Sequence, residues 1–292
     1  MHQQEAQNQL PSTGERMVSQ LINHSQASED VYDHLHRYAK ALGFVKGKDV
    51  LDIASGEGYG SNLLSKEANS VVGVDISKEA IDFAENKYKR PNLSFLVGSA
   101  DNIPLPPASV DVVVSFETLE HHDKHDEMLA EIKRILRPGG VMIMSTPDID
   151  VYKSKGETNH FHVKELNLIE FKQLVDRYFI HKKLFFQRYI QGSLIISEDN
   201  VNTFKEFQGD FNDIKSGIGI ELPYYNLCVA SDSPVDADYN SIFHNYKSSS
   251  SFDAGYIEYI LRLEREDMMK SKTYKLGNAI ASPFRVLRKL FK

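Results

Sequence analysis

The feature that most constrains this chain is a regular alternation of short apolar runs with helical patterns between residues 49 and 146. The runs are 49–54 (DVLDIA), 70–74 (SVVGV), 93–97 (LSFLV), 110–115 (VDVVVS) and 141–146 (VMIMST). Each is short and rich in β-branched residues, so each reads as a buried strand. Helical spacing fills the gaps near 60–67, 78–88 and 124–136. Strand and helix taking turns build right-handed crossovers, which lay the strands parallel and put helices on both faces. An α/β sheet follows, to which residues near 183–197 and 224–231 add two closing, antiparallel strands.

The flanks are less regular. Residues 1–28 are polar and read as a flexible N-terminal segment. From Glu29 the spacing Val31, Leu35, Tyr38, Leu42 predicts a helix that Gly43 ends. Pro138-Gly139-Gly140 reads as a sharp stop between helix and strand, and a further helix is expected over 163–178 after a loop. Residues 198–223 have weak periodicity and read as an insertion within a domain spanning 29–231. The Ser-, Asp- and Asn-rich stretch 232–254 reads as a linker, and 255–292 as a helical tail. From Pro283 onward, Phe284, Leu287, Leu290 and Phe291 share one helical face among Arg285, Arg288, Lys289 and Lys292, a basic amphipathic end.

Charge divides the chain the same way. The net charge is −7, yet Lys270 to Lys292 holds seven basic residues and no acidic one, leaving −14 on the first 269 residues. So acidic a body argues against nucleic acid as a partner. The tail instead suits a membrane surface or a partner subunit. MHQQEAQNQL has neither the basic start nor the apolar core of a signal peptide, and no stretch reaches the ~20 apolar residues of a spanning helix. A cytoplasmic protein, peripheral at the inner membrane face, is expected. The single cysteine, Cys228, excludes an internal disulfide and a cysteine-rich metal site.

The sharpest local motif is V-L-D-I-A-S-G-E-G-Y-G, residues 50–60, where a strand ends, a glycine turn follows and a helix begins. Gly56 and Gly58 let backbone pass close to a ligand where a Cβ would intrude. A dinucleotide fingerprint would need glycine at 61, where Ser61 stands. Asp52 and Glu57 flank the turn; they would repel a pyrophosphate and suit a cationic ligand such as S-adenosylmethionine, with its sulfonium and ammonium. Asp75, about twenty residues past the glycine turn, can accept from both ribose hydroxyls. Taken alone it would equally suit a helix cap. In Gly98-Ser99-Ala100-Asp101-Asn102-Ile103-Pro104, either Ser99 or Asp101 can accept from an adenine amine.

After the fourth run comes Phe116-Glu117-Thr118-Leu119-Glu120-His121-His122. On a first helical turn, Glu117, Glu120 and His121 share one face, and such oxygen and imidazole donors suit Mg²⁺, Mn²⁺ or Zn²⁺. A bound cation lowers the pKa of a hydroxyl while a histidine takes its proton. The plainer alternative is that the glutamates serve a helix N-terminus and His121 packs or acts as base. Asp148 is a further acceptor-side candidate, and Tyr152 a weaker one.

The residues DIASGEG, GVDIS, GSADNIP, VDVVVSFETLEH and LRPGG resemble, in order, the motifs of class I S-adenosylmethionine-dependent methyltransferases. That resemblance implies a Rossmann-like, seven-stranded, mostly parallel sheet with a C-terminal helical extension. It also implies cofactor contacts from Asp52, Ala54, Gly56, Gly58, Asp75, Ile76, Ser99, Ala100, Asp101 and Phe116. Many relatives carry glycine at the place of Ala54 and aspartate at that of Ser99. Leu35-His36-Arg37 resembles a segment of ubiquinone-pathway O-methyltransferases, which implies that Arg37 meets the cofactor carboxylate. Glu-x-x-Glu-His is similar to the metal-binding pattern of small-RNA 2′-O-methyltransferases, in which a downstream histidine completes the site; His160 or His162 stands for it here. The metal set is then Glu117, Glu120, His121 and His162, and the catalytic candidates are His121, His122, Asp148, His160 and His162.

Finally T-G-E-R (13–16), H-L-H-R-Y (34–38), S-T-P-D and N-H-F-H-V-K-E-L resemble bacterial methyltransferases associated with surface-polysaccharide and O-antigen synthesis. The resemblance implies a sugar or lipid-linked glycan hydroxyl as acceptor. A phenolic or quinone-like metabolite, an amino-sugar nitrogen, and a catalytically silent, partner-binding protein of the same fold stay open beside it.

Overall fold

The computed structural model describes residues 29–154, 159–190, 193–209, 214–220, 222–237 and 240–243. The expected N-terminal segment, residues 244–254 of the expected linker and the helical tail lie outside them. In chain order the first half holds α1 (Glu29–Val45), β1 (Asp49–Ile53), α2 (Tyr59–Leu64), β2 (Ser70–Asp75), α3 (Lys78–Lys87), β3 (Leu93–Val97) and β4 (Val110–Phe116). A 3₁₀ turn (Leu119–His121), α4 (His125–Ile135), β5 (Leu136–Pro147), α5 (Ile149–Ser154) and α6 (Leu168–Asp176) follow. The second half adds β6 (His181–Tyr189), β7 (Ser193–Ser197), α7 (Glu198–Val201), β8 (Lys205–Gly209), β9 (Ile214–Ile218), β10 (Tyr225–Ser231) and β11 (Ser241–Phe243).

The main sheet runs β11-β7-β6-β10-β5-β4-β1-β2-β3. Strands β1 to β5 pair in parallel, and β10 enters antiparallel between β5 and β6. Among the described residues the Rossmann-like sheet thus has nine strands rather than seven. The two extra ones, β7 and β11, add antiparallel at the β6 edge. Strand alternation explains the continuous apolar runs. Leu51, Ile53, Val113, Met142 and Met144 face α4 and α6, while Val50, Val112, Val114 and Ile143 face α1 and α2. With helices on both faces, both alternating sets must be apolar.

Several boundaries depart from the sequence reading. Helix α1 passes through Gly43 to the buried Val45, and the chain turns at Gly47, whose φ is +68°. Pro138-Gly139-Gly140 lies inside β5 as a bulge: Val110 pairs with Leu136, and two residues later Val112 pairs with Val141. Gly139 takes φ +77° there. A Cβ on Gly140 would stand 2.9 Å from the carbonyl oxygens of Arg137 and Asp111. Helix α6 begins at Leu168 rather than 163, because Asn167 and Glu170 form a reciprocal capping box. The expected loop before it holds α5. Within 198–223, β8 and β9 pair as a separate two-stranded sheet.

The expected linker also carries a strand. Ser241 and Phe243 of β11 pair with Ile195 and Ser193 of β7. The His36 ring lies 5.9 Å from that of Phe243, and its Nε2 is 2.9 Å from Ser241 Oγ. Contact with α1, invisible in a polar local sequence, holds it. Among the described residues, no helix is long and apolar enough to cross a membrane.

Candidate cofactor and acceptor site

Ligands of an open α/β sheet bind outside the carboxyl ends of its strands. The turn after β1 has three left-handed residues, Ala54 (φ +59°), Gly56 (φ +54°) and Gly58 (φ +81°). Alanine in that region carries strain of about 1–2 kcal/mol, and such strain concentrates at functional sites. Gly58 is constrained from behind as well. A Cβ there would stand 2.7 Å from the Phe95 ring and 2.8 Å from Ala84 Cβ, so the close approach is to β3 and α3, not only to a ligand.

Asp75 ends β2, and its carboxylate accepts from the Gly56 amide at 2.8 Å and the Ser77 amide at 2.9 Å. Ser77, not Asp75, caps α3. The acid is thereby fixed beside the glycine turn. Ile76 follows it with 76% exposure.

Asp52 and Glu57 are both fully buried beneath the turn rather than flanking it openly. Ser61 donates to Asp52 at 2.6 Å, and the Tyr38 hydroxyl at 3.3 Å. The serine that breaks the dinucleotide fingerprint therefore serves this carboxylate. Burial pushes Asp52 up to about 7, with the Asp75 charge acting the same way against the Ser61 and Tyr38 hydrogen bonds. Phe116, at the end of β4, is buried and meets the Tyr38 ring edge-on at 5.1 Å. On the β3 side, Ser99 and Lys124 both donate to Asp101, whose carboxyl the Lys124 ammonium, then Ser99, hold down at about 2. Asp101 is thus the charged acceptor of this loop, with the half-buried Ala100 between it and Ser99.

Arg37 on α1 is fully buried, not a solvated surface arginine. Its Nη1 donates to Gln187 Oε1 at 3.0 Å and lies 3.5 Å from Glu117 Oε1, and the guanidinium sits 4.5 Å over the Tyr225 ring. Nε and Nη2 make no hydrogen bond among the described residues. Buried donors are normally satisfied, so two idle ones mark a place for an anionic group. The carboxylate of S-adenosylmethionine fits this requirement. Gln187 is anchored in turn by donating to Asp33 and Ser193.

The acceptor side follows β4 and β5. Glu117 takes φ +53°, which breaks the expected helical turn; only a 3₁₀ turn forms, and α4 starts at His125. Neighbouring residues of β5 hold the two glutamates apart. Ser145 donates to Glu117 at 2.7 Å, and Thr146 to Glu120 at 3.2 Å. Glu117 therefore turns to Arg37 and leaves the expected metal set. Glu120, His121 and His162 remain together, one donor atom of each within 4.8 Å of the others. Burial, then the nearby Glu117 charge, raises the pKa of Glu120 well above the carboxylate range.

The segment carrying His162 is clamped by the amides of Val163 and Lys164, which donate to the Glu120 carbonyl at 2.7 and 3.2 Å. His162 Nδ1 lies 2.5 Å from Glu165 Oε1, and His121 Nδ1 lies 3.2 Å from the Phe161 carbonyl oxygen. Such outer partners fix the orientation of an imidazole. The two rings meet edge-on at 5.2 Å.

Three other candidates lie elsewhere. His122 turns toward α4, with Nε2 3.3 Å from Met128 Sδ and Nδ1 accepting from the Lys124 amide. His160 is exposed and stacks on Phe161 at 4.0 Å. Asp148 is a structural clamp, its carboxylate accepting from Asp150 N, Leu168 N and Asn226 Nδ2. Sequence reasoning missed Gln187, Glu165, Thr146, Tyr224 and Tyr225. Of these only Glu165 carries a local signal, three residues after a histidine.

Residues 51–144 match a family described as Methyltransferase domain. A probable S-adenosylmethionine-dependent methyltransferase of Mycolicibacterium smegmatis is 37% identical over 173 residues, which cover 57% of this chain and 64% of that protein. A phthiotriol/phenolphthiotriol dimycocerosates methyltransferase of Mycobacterium ulcerans is 32% identical over 115 residues, covering 38% of this chain and 42% of that one. The chain thus spans less than two thirds of the length of these curated relatives. Among solved structures, a SAM-dependent methyltransferase from Archaeoglobus fulgidus is 20% identical with a TM-score of 0.48, covering 70% of this chain and 94% of that chain. Residues 51–144, which carry the glycine turn and the acid after β2, thus match a methyltransferase-domain family, and the chain is similar to proteins named as probable S-adenosylmethionine-dependent methyltransferases.

Proposed function

We propose that this chain transfers a methyl group from S-adenosylmethionine to a hydroxyl of a sugar or glycan intermediate, assisted by a divalent cation. The observation that carries the acceptor chemistry is the Glu120, His121 and His162 cluster; Thr146 of β5 holds Glu120, next in sequence to the Ser145 that holds Glu117, the ion-pair partner of Arg37. When bound, S-adenosylmethionine supplies an electrophilic methyl group. Arg37 would hold its carboxylate, and Asp75 its ribose hydroxyls. A cation held by Glu120, His121 and His162 would lower the pKa of a hydroxyl placed beside it. Glu165 holds His162 Nδ1 and Asn159 Nδ2 lies 3.0 Å from its Nε2, so a cation on His162 would displace that amide, while the Phe161 carbonyl orients the His121 ring.

The basic stretch 270–292, outside the described residues, supports a lipid-linked acceptor at an anionic membrane surface, where each basic residue contributes about 1 kcal/mol. The name of the Mycobacterium ulcerans relative supports a second reading, a hydroxylated lipid in place of the glycan.

The test is methyl-labelled S-adenosylmethionine with the lipid-linked glycan and free-lipid fractions of a host lacking this gene, with and without EDTA. Label entering glycan and lost in EDTA supports the full reading. Label that survives EDTA removes the cation and leaves a histidine base; label confined to the free-lipid fraction replaces the glycan.

A further inference from the structure

Glu117 stands outside the Glu120, His121 and His162 cluster, yet its carboxylate is firmly placed. Strand β4 runs parallel to β1, with Val114 opposite Asp52, so Phe116 and the following Glu117 leave the sheet beside the glycine turn. The backbone of Glu117 is left-handed, and the Ser145 hydroxyl donates to its Oε1 at 2.7 Å, with Arg37 Nη1 3.5 Å from the same oxygen. Oε1 carries both contacts, and Oε2 has no hydrogen bond among the described residues. Arg37 is arranged the same way. Its Nη1 is taken by Gln187, whose amide nitrogen donates to the Asp33 carbonyl at 2.9 Å and to Ser193 Oγ at 2.8 Å. With those acceptors on its nitrogen, Gln187 turns its oxygen to the guanidinium and holds one end of it, while Nε and Nη2 stay idle. The charges of Arg37 and Glu117 both act on the hydroxyl of Tyr59, the first residue of α2 after Gly58.

Charge selects what this pair can hold. A buried guanidinium with idle donors calls for an anion, but a plain carboxylate placed there also meets the charge of Glu117. A group with an ammonium and a carboxylate on one carbon satisfies both residues at once. The amino-acid end of S-adenosylmethionine is such a group. We infer that Arg37 and Glu117 form a clamp for a zwitterion, in which Glu117 takes the ammonium. The inference rests on the cofactor reading above, and it gives Glu117, released from the metal set, a part in cofactor binding.

Calorimetric titration of the full chain tests it with S-adenosylhomocysteine, its analogue lacking the amino group, and methylthioadenosine, which lacks the whole amino-acid end. Glu117→Gln keeps the side-chain shape and an oxygen for Ser145 while removing the charge. It should weaken S-adenosylhomocysteine about tenfold, the scale of one charge-assisted hydrogen bond, and leave methylthioadenosine unchanged. The deaminated analogue should bind this variant as well as wild type or better, because its carboxylate no longer faces a negative charge. An equal change for S-adenosylhomocysteine and the deaminated analogue, or none for either, overturns the clamp and leaves Glu117 as a support for Arg37. If the variant fails to bind methylthioadenosine, its fold is at fault and Ser145→Ala decides instead, since it frees the carboxylate without removing it. The preference for S-adenosylhomocysteine over the deaminated analogue should then narrow about two- to fivefold, and an unchanged preference overturns the clamp. A wild-type chain that binds none of these ligands refutes the cofactor reading itself, on which the clamp depends.

Discussion

Asp52 lies fully buried under the glycine turn, and burial lifts its pKa to about 7. Near neutral pH it is therefore half protonated, and a cationic ligand above the turn should favour the ionised form. The sign follows directly. A carboxyl with a raised pKa is neutral below about 7, so cofactor affinity should increase as pH rises through that value. If only ionised Asp52 supports binding, the apparent dissociation constant carries a factor of about eleven at pH 6 and nearly one at pH 8. The difference is about tenfold, or about 1.4 kcal/mol. Calorimetric titration of S-adenosylmethionine at pH 6, 7 and 8, with wild type and Asp52→Asn, measures it. The ligand's own ammonium titrates in both proteins and cancels in the ratio. Asp52→Asn should lose the tenfold gain, and wild type at pH 7 should release about half a proton on binding. An identical pH slope in the two proteins would refute the coupling of Asp52 to ligand charge.

Other consequences are as specific. Gly58→Ala combines a φ of +81° with a Cβ 2.7 Å from Phe95, so urea denaturation should show a loss of about 2–4 kcal/mol. Arg37→Met should weaken S-adenosylhomocysteine by about ten- to a hundredfold in calorimetric titration, the range of a charge-assisted contact. His122→Asn and His160→Ala should keep wild-type methyl transfer, since His122 faces Met128 and His160 stacks on Phe161 away from the cluster. A chain ending at Lys270 should pellet less with anionic vesicles than the full chain; equal pelleting would reject the basic anchor.

Much of the site was legible in the sequence because local patterns report what each element buries. Strands covered by helices on both faces are apolar on both alternating sets, and so β1, β2, β4 and β5 stood out; β3, largely exposed, stood out by its β-rich run alone. The residues of the glycine turn and Asp75 are set by backbone conformation and strand ends, which short motifs encode. Other features depended on contacts between distant segments. Glu117 left the metal set because Ser145 and Arg37 claim it and its backbone is left-handed, which i, i+3 spacing cannot reveal. His162 rather than His160 joined His121 because the amides of Val163 and Lys164 register that loop on the Glu120 carbonyl. Arg37 is buried rather than solvated because β6 and β10 set Gln187 and Tyr225 against it. The sheet continues through β11 because α1 offers His36 to Ser241 and Phe243. The sequence by itself outlined the five parallel strands and the glycine turn and pointed to the cofactor class, since each is written in neighbouring residues. Which polar groups meet across forty or more residues was decided by register and strand direction, and only the tertiary structure carries those.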